Sequence, residues 1–184
     1  MSDSQIKETL KFICHQLPEN DISFLMTGGF AVNYHGYTRS TMDIDFMIAS
    51  RAEEQVKKIM LSAGYTNYSV HDNVAFFQRP GTSLRVDFLR VDNYTMELLL
   101  SRSVKVDIDG TECPLPCLED VVAMKLFAIQ HGSQWRREKD IEDVVQLTVA
   151  NSLNTAVLES LCRRYASAEI YSELCRKIAQ RQTC

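Results

Sequence analysis

The sequence predicts an α/β fold: a sheet-and-helix region over roughly the first 115 residues, then an all-helical part. Three observations carry this. Short strand-like runs alternate with helical stripes up to Leu115, the pattern becomes continuously helical from Leu118, and no repeat, low-complexity tract or long linker intervenes. The expected division is residues 1–116 as an α/β core and 117–184 as a helical region packed on it. With 184 residues, 45% of them hydrophobic, the chain can bury a core without metals or disulfides.

Each element has its own signal. Ile6, Leu10, Ile13 and Leu17 form a helical stripe over residues 5–17, and Pro18-Glu19-Asn20-Asp21 is expected to break it. ISFLMT reads as a buried strand that stops at Gly28-Gly29. FAVNYH is a short helix with Gly36 as a left-handed cap, and DIDFMIA is a second strand. RAEEQVKKIMLSAG is helical and ends at Gly64. Strands follow at 66–70, 74–79 and 84–91, and SVKVDIDGTECPL is a hairpin with Asp109-Gly110 in its turn. Helices are expected at 119–131, 137–150, 153–165 and 168–181.

Composition narrows the function classes. Twenty basic and 24 acidic residues give a net charge of −4, so any contact with nucleic acid should be local. The N-terminus MSDSQIKETLKF is polar and resembles no signal peptide, and MELLL is far short of a membrane span. A cytoplasmic protein with no membrane partner is expected. Without an export signal the six cysteines are expected as free thiols. Cys113 and Cys117 lack the second Cys/His pair that a zinc site needs.

The chemistry concentrates in MTGGFAVNYHGYTRSTMDIDFMIA. Strand side chains alternate faces, so Asp43, Asp45 and Met47 share one face while Ile44, Phe46 and Ile48 supply the core contact. If the chain is already extended before Asp43, Arg39 and Thr41 point the same way. Two carboxylates side by side are costly unless a positive charge lies between them. They suit Mg²⁺, a hard ion that takes oxygen ligands and keeps waters and substrate phosphates as the remainder. Gly28 and Gly29 would let backbone N–H groups approach a phosphate, with a helix N-terminus behind them. Asp-x-Asp alone is weak evidence, because Asp107-Ile108-Asp109 is a second copy with an ordinary turn explanation before Gly110. Asp87, in the apolar strand SLRVDFLRV, is a third carboxylate. It has two readings, a structural pair with Arg85 or Arg90 and a ligand in a two-metal phosphoryl-transfer site.

TGGFAVNYHGYTRSTMDIDF, with Asp87 on a later strand, resembles the signature of the nucleotidyltransferase-fold superfamily, whose members include polymerase-beta-like enzymes. The Gly-Gly, Arg-x-Thr-x-Asp-x-Asp form and the downstream Lys-Asp-x-x-Asp are similar to the AbiEii-like and minimal nucleotidyltransferase branches, which include toxins of toxin–antitoxin pairs. The resemblance covers about residues 22–145 and implies a small mixed sheet flanked by helices. It implies transfer of a nucleoside monophosphate from a nucleoside triphosphate to a hydroxyl on a tRNA end, a protein or a small molecule. Asp43, Asp45 and Asp87 would hold Mg²⁺ (two ions, with Mn²⁺ as a substitute) and carry catalysis. Gly28 and Gly29 would bind triphosphate, where many relatives place serine at position 29. Arg39 and Thr41 belong to the same nucleotide-binding set. An antitoxin partner is implied with the toxin role.

The helical half adds candidates. Lys125 is the only charge in VVAMKLFAIQ, and it either snorkels to solvent or reaches the triphosphate as relatives' helical lysine does. Asp140 and Asp143 are helical neighbours, and with Lys139 they match the family's Lys-Asp-x-x-Asp. Arg136 and Arg137 are either plain surface or an aid to an acidic substrate. Two rival readings are a catalytically silent relative that binds nucleotide or a partner, and a structural module whose acids solvate a sheet edge.

Overall fold

The computed structural model describes residues 3–108 and 110–182. They form two compact units, one of Met1–Ala31 with Ser40–Cys117 and one of Val32–Arg39 with Leu118–Cys184. The short segment 32–39 thus joins the helical unit rather than the sheet unit.

The first unit is built on a five-stranded mixed sheet. Strands β1 (Phe24–Met26), β2 (Asp43–Ala49), β3 (Thr66–His71), β4 (Val74–Gln78) and β5 (Arg85–Val91) lie in the order β1-β2-β5-β4-β3. β2 and β5 run parallel, and the other pairs are antiparallel. The alternation expected of DIDF holds: Ile44 and Phe46 are fully buried while Asp43 and Asp45 are partly exposed. Phe46 stacks on Phe88 across the parallel pair with ring centroids 5.6 Å apart, and Phe77 meets Phe88 edge-on at 5.8 Å. These rings make one face of the β2–β5 seam apolar, which leaves the other face for the carboxylates.

The unit also holds helices α1 (Asp3–Glu19), α3 (Glu53–Ser62) and α4 (Asn93–Ser101) and the start of α2 (Gly28–Tyr34), whose residues from Val32 on belong to the second unit. α1 ends at Glu19, within the expected break, and Pro18 in its last turn has no N–H to give the Cys14 carbonyl. α4 was not anticipated. Its signal is Asp92, whose Oδ1 accepts from the Thr95 N–H at 2.9 Å and whose Oδ2 accepts from the Thr95 hydroxyl at 2.6 Å. β6 (Val104–Ile108) and β7 (Thr111–Leu115) form the expected hairpin. Asp109, assigned to its turn, lies outside the described residues.

The cysteines need a correction. Cys14 of α1 and Cys113 of β7 form a disulfide with Cα atoms 6.0 Å apart, although the sequence suggested thiols. α1 packs on β7, and that contact joins residues 99 apart in the chain, which spacing alone does not reveal. Among the described residues, no helix is long and apolar enough to cross a membrane.

The second unit holds α5 (Leu118–His131), α6 (Gln134–Ala150), α7 (Thr155–Tyr165) and α8 (Ala168–Gln182). α5 packs on α6 and α7, and α8 packs on the same two. Ile141, Val144 and Val145 of α6 are fully buried at helical spacing.

Candidate active site

Asp43, Asp45 and Asp87 come together because β2 and β5 are parallel neighbours. Asp45 pairs with Asp87 and Asp43 with Arg85 in the register, so the side chains of each pair leave the same face. The turn before α2 meets this seam. The Thr27 N–H donates to the Asp45 carbonyl at 2.8 Å, and Gly28 has φ +58°. A Cβ built on Gly28 would overlap the Asp45 carboxylate. Glycine is therefore required twice over, by its backbone and by the close approach of Asp45. Gly29 follows within the first turn of α2.

The positive charge that paired carboxylates need is supplied by Arg85. Its Nε and Nη2 donate to the two Asp87 oxygens at 2.7 and 2.9 Å, and Nη2 also donates to Asp43 Oδ2 at 2.8 Å. Of the two partners weighed for Asp87, Arg85 takes the role, while Arg90 pairs with Glu53. The bridge from Arg85 to Asp43 was not visible in the sequence, because it depends on the β2–β5 register. Asp87 is 6% exposed. Burial pushes its carboxyl up to about 6, and the charges of Asp45 and Asp43 add to this against the pull of Arg85.

These residues fit a hard divalent cation in kind. Three carboxylates share one face, the most buried of them resists ionising, and a cation is already drawn between two of them. As they stand, Asp43 and Asp87 close on Arg85. Among the described residues no three His, Cys, Asp or Glu side chains converge as a metal cluster.

The residues before Asp43 behave differently from a continued strand. β2 begins at Asp43 itself. The Thr41 hydroxyl donates to the Asp43 carbonyl at 3.1 Å. Arg39 belongs to the helical unit, where its Nε and Nη2 donate to Asp143 at 2.6 and 2.9 Å. The Asn33 side chain grips the Arg39 backbone twice, accepting from its N–H and donating to its carbonyl, each at 3.0 Å.

In that unit Lys125 does not snorkel. It is 8% exposed, and its ammonium lies 2.7 Å from Asp140 and 2.8 Å from Asp143. Asp140 and Asp143 are buried rather than solvated. Burial works to raise Asp143, yet Arg39 and Lys125 hold it below the usual carboxylate range. The charges of Arg39, Lys125, Asp140 and Asp143 are thus taken up by one another. Lys139 stays exposed and makes no ion pair with a described residue.

A mixed sheet carrying a glycine turn against an Asp-x-Asp strand, with a third aspartate on its parallel neighbour, defines the nucleotidyltransferase fold. The chain belongs to the family described as nucleotidyltransferase of unknown function (DUF6036), whose model matches residues 4–182. No curated protein sequence matches it. Among solved structures, it is similar to an antigenic nucleotidyltransferase-like protein from Paracoccidioides brasiliensis, with 17% identity over 95% of this chain and 94% of that one and a TM-score of 0.59. The antibiotic-resistance factor ANT(2'')-Ia matches with 14% identity over 95% and 97% of the two chains and a TM-score of 0.68. The lincosamide antibiotic adenylyltransferase LnuA matches with 14% identity over 77% and 95% and a TM-score of 0.55. At these identities the likeness is one of fold.

Proposed function

We propose that the protein transfers a nucleoside monophosphate from a nucleoside triphosphate to an acceptor hydroxyl and releases pyrophosphate. The observation that carries this is the set Asp43, Asp45 and Asp87 on one face of the β2–β5 seam, with Gly28 against Asp45. Asp43, Asp45 and Asp87 would hold Mg²⁺, which when bound neutralises phosphate charge and polarises the phosphorus under attack. Backbone N–H groups of Gly28 and Gly29 would receive phosphate oxygens. The acceptor oxygen bonds to the α-phosphorus, the bond to the bridging oxygen breaks, and pyrophosphate leaves with the electron pair. Asp87, the most buried of the three carboxylates, would also accept the hydroxyl proton. The adenylyltransferase among the similar structures favours the same reaction class.

A second reading, a catalytically silent nucleotide-binding relative, is favoured by Arg85, which satisfies Asp43 and Asp87 on its own. One experiment separates the two. Transfer from each labelled nucleoside triphosphate into a cell extract with Mg²⁺ is measured for the parent, Asp45→Asn, Asp87→Asn and Asp107→Asn. Transfer should fall by orders of magnitude in the first two variants. It should persist in the third, because Asp107 lies in the β6–β7 hairpin, where it accepts the Gly110 N–H at 3.0 Å. Triphosphate binding without any transfer would favour the silent reading, and equal activity in all four would sink the metal site. A toxin role, implied by the AbiEii-like resemblance, would further require growth arrest on expression and relief by a neighbouring gene product.

A further inference from the structure

The corner between α5 and α6 carries a surface that the transfer chemistry does not use. Phe127 and His131 lie one turn apart on α5 with ring centroids 4.5 Å apart, and Phe127 is 55% exposed. Gly132 then turns the chain, its N–H donating to the Ala128 carbonyl at 2.8 Å. A Cβ at Gly132 would meet that carbonyl oxygen at 2.5 Å, so only glycine fits this turn without a shift. The first turn of α6 presents Trp135, the chain's only tryptophan, at 82% exposure, with the Arg136 guanidinium 5.8 Å from its ring centroid.

The charges here are unbalanced. Arg137 is answered by Glu173 at 2.6 Å, and Lys125 and Arg39 by Asp140 and Asp143. Arg136 and Lys139 form no ion pair with a described residue. Although Lys139 is exposed, partial desolvation and the neighbouring Arg39, Lys125 and Arg136 disfavour its charged form against the pull of Asp143, and an anion would relieve this. A rigid ring left in water beside unanswered cations suits a ligand that has both a flat face and phosphates. An apolar protein partner would leave those two cations buried and unpaired, at a cost. A duplex hides the faces of its bases. An unstacked strand satisfies every group at once.

We propose that the α5–α6 corner binds single-stranded nucleic acid, with Trp135 stacking on a base and Arg136 and Lys139 holding flanking phosphates. The surface lies wholly within the helical unit, so its binding and the transfer reaction can fail independently.

Because Trp135 is the only tryptophan, its emission reports on this surface alone. The full chain is titrated with a short single-stranded RNA, the same sequence as DNA, its duplex, a nucleoside triphosphate and polyglutamate. Either single strand should quench the emission saturably, and the tighter of the two identifies the natural source. Trp135→Ala should weaken binding of a dye-labelled strand about tenfold or more. Arg136→Gln and Lys139→Gln, which keep the reporter, should each reduce the salt dependence by about 0.7 in log–log slope. Circular dichroism checks that the variants fold. Four results would each overturn the proposal: no saturable quenching by either strand, an unchanged salt slope in both charge variants, a triphosphate or duplex as effective as the strand, or equal binding of polyglutamate.

Discussion

Asp87 shows how a single residue carries both the function and its cost. Burial first, then Asp45 and Asp43, push its carboxyl to about 6 from an ordinary 3.8, while Arg85 pulls the other way. The folded protein therefore holds the Asp87 proton more tightly than the unfolded chain does. The stability this contributes is fully present below about pH 4 and is lost as pH rises through 6, a change on the order of 3 kcal/mol. Urea unfolding of metal-free protein between pH 4.5 and 7.5 measures it. Relative to Asp87→Asn, the parent should lose stability across that window, and a constant difference would mean that Asp87 titrates normally. The residue itself was legible in SLRVDFLRV, since a carboxylate in an apolar strand demands a reason. Its engagement by the same Arg85 that binds Asp43 was not legible, because cross-strand register is invisible in one strand.

At the scale of elements, α5 and α6 change the meaning of their own charges. In isolation Lys125 looks like a lone cation on an apolar helix. Once the two helices pack, Asp140 and Asp143 reach it, and both are themselves buried. Lys125→Met is close in shape, yet it strips Asp140 of its partner and should cost about 3–5 kcal/mol in a denaturant titration. Lys125→Met with Asp140→Leu should recover part of that loss. A raised midpoint in the single variant would show that the ion pairs carry no weight. The helices α5 to α8 were legible because their apolar stripes are long, but α6 begins at Gln134 rather than at the expected 137, which puts Arg136 and Arg137 inside it. α4 was not, because MELLL is too short for its period to declare itself, and only the Asp92 cap marks its start.

For the whole molecule, charge and covalent links divide unevenly between the two units. The 20 basic residues fall ten to each unit, whereas the 24 acidic ones fall fifteen to the sheet unit and nine to the helical unit. The net negative charge is thus carried by the unit that holds the carboxylate seam, and the candidate strand-binding corner lies in the other. The Cys14–Cys113 bond ties α1 to β7 across 99 residues of chain. A loop of that length constrains the unfolded state by about 4–5 kcal/mol in the chain-entropy model. Reductant, or Cys14→Ser, should lower the thermal midpoint by on the order of 10 °C. Identical midpoints with and without reductant would mean that the two sulfurs are thiols in solution.

What the sequence determined by itself is whatever obeys a short period or a local rule. The strand DIDFMIA with its acids on one face, the glycine turn before it, the hairpin and the C-terminal helices all follow from spacings of two to four residues. What only the tertiary structure decided is every pairing across long chain separations. Arg85 reaches across to Asp43, Arg39 is held by Asp143, Lys125 is neutralised, and Cys14 meets Cys113. The physical reason is common to all four. Local patterning shows which face of an element is buried, but the identity of a buried charge's or sulfur's partner is set by which element packs against that face.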